Sequence, residues 1–239
     1  MGYADRYDPD TDFDHWYTDA TGRAIVEWVQ PAATILELGC ATGRMSQALV
    51  DAGAVVVGVD RAPTYLDRAR ARGLADATFL LHDIVDLDLD RRFDHVIVAN
   101  VVHEVPDPSA LYATAARHLE HDGTLHVTLQ NPHSIHRLVG QELGLILNLA
   151  EVSERGRQFE TIEVLDVDRL TALGAWAGLE LVHRAGVMLK PLPNDLMATL
   201  PESIVEGFVA VARHFPEHSA MNYLQFRWPG AAPAAGGPA

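Results

Sequence analysis

The stretch ILELGCATGRMSQAL (35–49) decides how this chain folds. It begins as a short apolar, β-rich run, ends with apolar residues at helical spacing, and carries two glycines between them. The reading is strand, glycine turn, helix. Gly39 and Gly43 let the backbone bend sharply and leave room for a ligand where a Cβ would otherwise stand. Such a turn delivers peptide N–H groups and a helix N-terminus toward whatever sits above the strand ends.

Outward from this turn the same alternation continues. AVVVGVD (54–60), ATFLLHD (77–83), FDHVIVAN (93–100) and TLHVTLQN (124–131) are apolar runs that suit strands buried on both faces of a sheet. RMSQALVDAG (44–53), PTYLDRARARG (63–73) and PSALYATAARHLEHDG (108–123) lie between them with helical spacing, each ending near a glycine. The fold class is therefore α/β: a doubly wound, mostly parallel sheet with helices on both faces and right-handed crossovers. Beyond residue 131 the pattern predicts a long helix over 134–152, a polar connector over 153–161 and a helix over 166–180 capped by Asp166. A strand over 179–190, a helix over 201–215 and a closing strand over 221–228 follow. The tail PGAAPAAGGPA (229–239) has nothing large and apolar to bury and is expected to be disordered.

The chain has 239 residues with 48% hydrophobic content, enough for one sizeable core. Acids outnumber bases 33 to 18, a net charge of −15, so its field should repel nucleic acid and anionic membrane. The single cysteine, Cys40, excludes an intramolecular disulfide and a four-cysteine zinc site. No basic start leads into an apolar run, and no apolar stretch of about 18 residues exists to span a bilayer. The expected location is the cytoplasm.

The strand ends carry acids. Asp60 lies seventeen residues after Gly43, where a carboxylate can accept two hydrogen bonds from a ribose diol. Asp83 closes the third strand and can meet an exocyclic amine of an adenine. A dinucleotide-binding fingerprint needs glycine at the first, third and sixth positions; here those are Gly39, Ala41 and Arg44, so it fails twice. A nicotinamide-dependent oxidoreductase is disfavoured accordingly.

ILELGCATG followed by VVGVD and HD resembles the first three motifs of the class I S-adenosylmethionine-dependent methyltransferases, of the small-molecule type. FDHVIVANVVHEVPDP (93–108) is similar to that family's fourth motif and HLEHDGTLHVTLQNP (118–132) to its fifth strand region. The likeness spans roughly residues 20–228 and departs from the pattern at Ala41, where the family usually has glycine. It implies a Rossmann-like, seven-stranded sheet whose last strand is antiparallel, with S-adenosyl-L-methionine as cofactor. Carried over by position, Glu37, Gly39, Cys40 and Ala41 surround the methionine part, Gly43 also belongs to the cofactor-binding set, Asp60 binds the ribose, and Arg61 flanks it. Asp83 and Ile84 hold the adenine, Asn100 reaches the amino-acid end, and Val101 also belongs to the cofactor-binding set.

In this fold His103 faces the methyl-transfer point and is the expected general base. Asn131, His133 and His136 border the acceptor pocket, with segment 134–165 over it, and Lys190 can meet an anionic acceptor. No metal site is expected, since NVVHE (100–104) lacks the first acid of the metal set in some quinone-type relatives and reverses its last pair. Residues 1–20, with Tyr3, Tyr7, Phe13, Trp16 and Tyr17, read either as a helical lid, with Tyr17 or Trp16 near the sulfonium, or as a dimer contact. Residues 21–228 form the catalytic domain, as a monomer or homodimer. The expected activity is methyl transfer to an oxygen, or second to a nitrogen, of a small metabolite in secondary metabolism. The alternative is a non-catalytic S-adenosylmethionine-binding or regulatory protein of the same fold.

Overall fold

The structure, a computed structural model, describes residues 8–153, 156–157 and 161–232. Strand β1 (Thr34–Leu38) stands at the middle of a seven-stranded sheet. From it the chain winds outward through helix α2 (Arg44–Asp51), β2 (Val55–Asp60), α3 (Pro63–Ala71) and β3 (Ala77–Leu81). It then returns to the other side of β1 with β4 (Phe93–Ala99), α4 (Pro108–Arg117) and β5 (Leu119–Gln130). The strand order β3-β2-β1-β4-β5-β7-β6 reverses direction between β1 and β4, so the crevice above their carboxyl ends is the switch point where such sheets take ligands. β1 to β5 are parallel. β7 (Met221–Arg227) enters between β5 and β6 (Glu180–Val187) and runs antiparallel to both.

Side chains alternate across β1. Leu36 and Leu38 join Val57, Val96 and Val127 in one buried layer, covered by Leu111 and Tyr112 of α4 and by Leu170 and Leu173 of helix α6 (Val167–Trp176). Ile35 faces the opposite layer, with Met45 and Leu49 of α2, Tyr17 and Ile25 of helix α1 (His15–Val26), and Val205 of helix α7 (Glu202–Val211). The same alternation turns Glu37 toward α2, where its carboxylate accepts the Ser46 hydroxyl.

Three expectations are corrected. The segment 134–152 is not one helix: α5 spans Ile135–Glu142 only, and Gly144 at φ +70° ends it. Leu143, Leu145 and Leu147 recur every two residues and stay exposed, so they offer no continuous helical stripe to bury. Helix 108–123 stops at Arg117, and Gly123 is not its cap but lies within β5. There the pairing with β4 shifts from Phe93↔Leu119 to His95↔Thr124, and a Cβ at Gly123 would meet the Asp94 carbonyl at 2.9 Å. Finally, residues 8–14 form turns rather than helix, and α1 begins only at His15. Tyr3, Tyr7 and residues 233–239 of the expected tail lie outside the described residues. Among the described residues no helix is long and apolar enough to cross a membrane.

Candidate active site

The glycine turn holds its shape by backbone bonds and unusual dihedrals. Gly39 sits at φ +87°, and a Cβ there would approach Val101 to 3.3 Å. Gly43 caps α2 at φ +72°, where a Cβ would press on Ala69 and Phe79 at 3.1 Å. Ala41, at the position where the resembled family usually carries glycine, adopts φ +45°. The N–H groups of Gly39 and Cys40 both reach the Val59 carbonyl, at 2.8 and 3.0 Å, binding the turn to β2.

Above this turn lies a cavity of about 650 Å³, in the range of small-molecule sites. Glu37, Gly39, Cys40, Ala41, Asp60, Arg61 and Ile84 line one part of it, and Asn100, Val101 and His103 line the wall at the end of β4. Tyr17, Asn131, His136 and Lys190 complete the remainder. Four sequence-derived residues stand outside it. Gly43 acts from behind as the α2 cap. Asp83 is exposed and spends a carboxylate oxygen on the Val85 N–H at 2.9 Å, so only its neighbour Ile84 faces the cavity. His133 is exposed, its carbonyl meeting the His218 ring. Trp16 is also absent from the lining and stacks on His15 instead.

Burial sets the charge states. Glu37 is 3% exposed, and desolvation pushes its carboxyl up to about 8, against the opposing Ser46 hydrogen bond. Burial also raises Asp60, whose Oδ2 accepts the Ala41 N–H at 2.9 Å and Oδ1 the Ala62 N–H at 2.8 Å. The Cys40 thiol is pushed up by burial and packs under Gly58, where a Cβ would meet its Sγ at 3.0 Å; it is a filler of the turn, not a nucleophile. His103 is 5% exposed, and desolvation lowers its imidazole to about 4, so it is neutral at neutral pH. Its Nε2 stands 3.6 Å from Glu104 Oε1, while its buried Nδ1 has no hydrogen-bond partner among the described residues.

Asn194 lines the cavity without a sequence signature, because its placement depends on distant parts of the chain. Asn194 Oδ1 accepts from Tyr17 Oη at 3.0 Å and from Lys190 Nζ at 2.6 Å, and Asn194 Nδ2 donates to Asp14 at 2.6 Å. Asn131 anchors the end of β5: its Nδ2 donates to the Glu217 and Ser219 carbonyls at 2.8 and 3.0 Å. An acidic strap also closes the cavity rim near Pro9. Asp10 accepts from Arg68 and Arg72, Asp8 from Arg68, and Asp19 takes both nitrogens of an Arg44 fork at 2.6 and 2.7 Å.

The residues around the turn fit S-adenosylmethionine. Gly39 leaves a cradle that a Cβ would narrow against Val101. Two buried polar atoms of the lining, Thr42 Oγ1 and Asn100 Oδ1, have no partner among the described residues and await one from a ligand. Glu37 and Asp60 supply acidic groups suited to a cationic cofactor. The Asp60 carboxylate lines the cavity and is held by the Ala41 and Ala62 N–H groups, one on each oxygen, in a position to meet a diol. Among the described residues no group of three or more His, Cys, Asp or Glu is arranged to hold a metal ion.

A doubly wound sheet with a glycine turn at its switch point defines a nucleotide-binding class of protein, and comparison narrows it. Residues 36–127 match the methyltransferase domain family. A ubiquinone biosynthesis O-methyltransferase of Xylella fastidiosa (strain 9a5c) is 30% identical over 175 residues, covering 70% of this chain and 69% of the relative. A structure from Thermotoga maritima, described as a possible histamine N-methyltransferase, aligns with a TM-score of 0.64 at 17% identity, covering 90% of both chains. Magnesium protoporphyrin IX methyltransferase of Synechocystis PCC 6803, with bound S-adenosylhomocysteine, aligns with a TM-score of 0.62 at 17% identity, over 91% of this chain and 85% of that one. The chain belongs to the class I S-adenosylmethionine-dependent methyltransferases, and S-adenosylmethionine is its cofactor.

Proposed function

We infer that this methyltransferase transfers its methyl group to a hydroxyl oxygen of a small molecule, with His103 receiving the hydroxyl proton. The observation that carries this reading is the His103 imidazole: buried, neutral, lining the cavity, and with Nδ1 unengaged. The name of the Xylella relative, an O-methyltransferase, favours oxygen over nitrogen.

Bound above the turn, S-adenosylmethionine supplies a methyl group already activated on a sulfonium. The chain's own residues have to orient and to move one proton. Asp60 fixes the nucleoside side, the Gly39 cradle receives the methionine side, and the Asn100–Val101 wall, with Asn100 at φ +56°, fixes the approach from β4. Alignment of this kind lowers barriers by about 7–11 kcal/mol in favourable cases. A hydroxyl oxygen gains positive charge as the new C–O bond forms, which makes its proton strongly acidic. An imidazole held near 4 is basic enough to take that proton, and it stays unprotonated beforehand. Glu104, 3.6 Å from Nε2, then balances the imidazolium that results.

The test is a screen of hydroxyl- and amine-bearing metabolites for a methyl mass increment, followed by kinetics of His103→Gln on the substrate found. An O-methyl product is expected, with kcat lowered by about 10²–10⁴-fold and S-adenosylhomocysteine affinity retained. An N-methyl product, or unchanged kcat, contradicts this assignment. Absence of turnover on any acceptor with normal cofactor binding would favour the non-catalytic alternative.

A further inference from the structure

The part of the cavity bordered by the segments after β5 and β6 has a charge character unlike the rest of this acidic chain. Lys190 and Arg137 both line it, together with His136. We propose that these three side chains form a carboxylate-binding subsite, so that the methyl acceptor carries an anionic carboxylate beside the group it methylates. The proposal rests on the reading of this cavity as a methyl-transfer site.

Lys190 is 6% exposed, and its ammonium lies 5.7 Å from the centre of the Tyr17 ring. Its Nζ donates to Asn194 Oδ1 at 2.6 Å, and the same oxygen accepts from Tyr17 Oη, so this amide oxygen helps to position the head group. Arg137 is fixed from behind: its Nη2 donates to the Leu149 and Glu151 carbonyls at 3.0 and 2.7 Å. That leaves Arg137 Nε buried with no hydrogen-bond partner among the described residues, and His136 Nδ1 is in the same condition. A guanidinium cannot shed its proton to escape this, so the buried donor calls for an acceptor from outside. The field at His136 agrees: burial lowers its imidazole to about 3, and both further contributions, from Lys190 and Arg137, are those of cations. A planar carboxylate can meet an ammonium, a guanidinium N–H and an imidazole N–H together. A chain of net charge −15 repels anions at long range, so a local pair of cations is what such an acceptor requires. Asp14 and Glu104 also line the cavity, which makes an amine acceptor the competing outcome.

The experiment titrates benzoate, benzamide and benzylamine into the full-length protein saturated with S-adenosylhomocysteine, by calorimetry or ligand-observed NMR. Benzoate is expected to bind at least about tenfold tighter than its neutral isostere, an advantage that electrostatic pairing can supply. Lys190→Met and, separately, Arg137→Met should shrink that advantage to about twofold, while Lys190→Arg should restore much of it. Retained S-adenosylhomocysteine affinity certifies the fold of each variant. The proposal is overturned if benzamide or benzylamine binds as well as benzoate, if none of the three binds, or if the preference survives both Met substitutions. Failure of S-adenosylhomocysteine to bind the unaltered protein would instead overturn the cofactor assignment, which is a separate result.

Discussion

Asp60 Oδ2 accepts the Ala41 N–H at 2.9 Å, so the acid that ends β2 holds the turn that follows β1. The residue proposed to bind the ribose therefore also sets the shape of the loop beneath the cofactor. Asp60→Ala removes both effects. It should weaken S-adenosylhomocysteine binding by about 10–100-fold, the value of one or two hydrogen bonds to a charged group. Calorimetry with affinity within twofold of the unaltered protein would remove Asp60 from the site.

Cofactor binding should depend on pH through Glu37. Burial holds this carboxyl up to about 8, so at pH 6–7 the free protein carries it protonated. A cationic cofactor nearby favours the carboxylate and expels that proton. Affinity for S-adenosylmethionine should therefore rise from pH 6 to about 8 and then level off. Titrations in buffers of different ionisation enthalpy should reveal the proton released. Glu37→Gln should flatten the profile, and a profile already flat in the unaltered protein contradicts the assignment.

The acidic strap is a salt-sensitive element. Asp10 joins Arg72 at 2.5 Å and Arg68 at 2.6 Å from a partly buried position. Asp10→Ala should lower stability by about 1 kcal/mol, or about 2–4 °C in Tm, at low ionic strength. The deficit should shrink in about 1 M salt, where charges are screened over about 3 Å. Thermal scans at the two salt levels check this; an equal deficit in both would assign the loss to packing instead.

Acid sensitivity should come from the buried histidines of β4 and β5. His95 and His126 ring nitrogens lie 2.9 Å apart, and His126 Nδ1 meets Tyr223 Oη at 2.8 Å. Burial lowers His95 to about 4, opposed by Asp94 and aided by Arg227, and holds His126 well below its usual range. The unfolded chain binds these protons near 6.5, while the native state refuses them. Stability is thus complete above about pH 6.5 and is lost as pH falls toward 4. Tm followed from pH 7.5 to 4.5 should drop more steeply for the unaltered protein than for His95→Gln.

Gly58 shows how local and distant information combine. A Cβ there would meet Phe79 at 2.8 Å and Cys40 at 3.0 Å. Gly58→Ala should cost about 1–3 kcal/mol by overpacking beneath the cofactor turn. Chemical denaturation measures this, and a neutral result would mean that Phe79 yields freely.

What the sequence made legible was local. The run from Ile35 to Leu49 forms strand, turn and helix because apolar spacing and two glycines act within a few residues, and Asp166 caps its helix through the nearby Arg169 N–H. Asp60 was reachable because the end of β2 must lie beside the turn in a parallel sheet. Failures arose where long-range packing decides. Gly123 read as a helix cap because the shifted β4–β5 pairing that absorbs it cannot be seen in one segment. Asn194 meets Tyr17 across 177 positions of sequence, and Arg137 is turned by carbonyls of a loop that replaces the expected helix. Asp83 does not close β3, which ends at Leu81, but lies in the loop beyond it and spends its carboxylate on its own turn.

The most direct measurement is a crystal structure with S-adenosylhomocysteine. The ribose hydroxyls are expected within hydrogen-bond distance of the Asp60 carboxylate, with the sulfur facing the space between His103 and Tyr17. Nucleoside density elsewhere, or a sulfur turned away from His103, would contradict the assignment of this cavity as the methyl-transfer site.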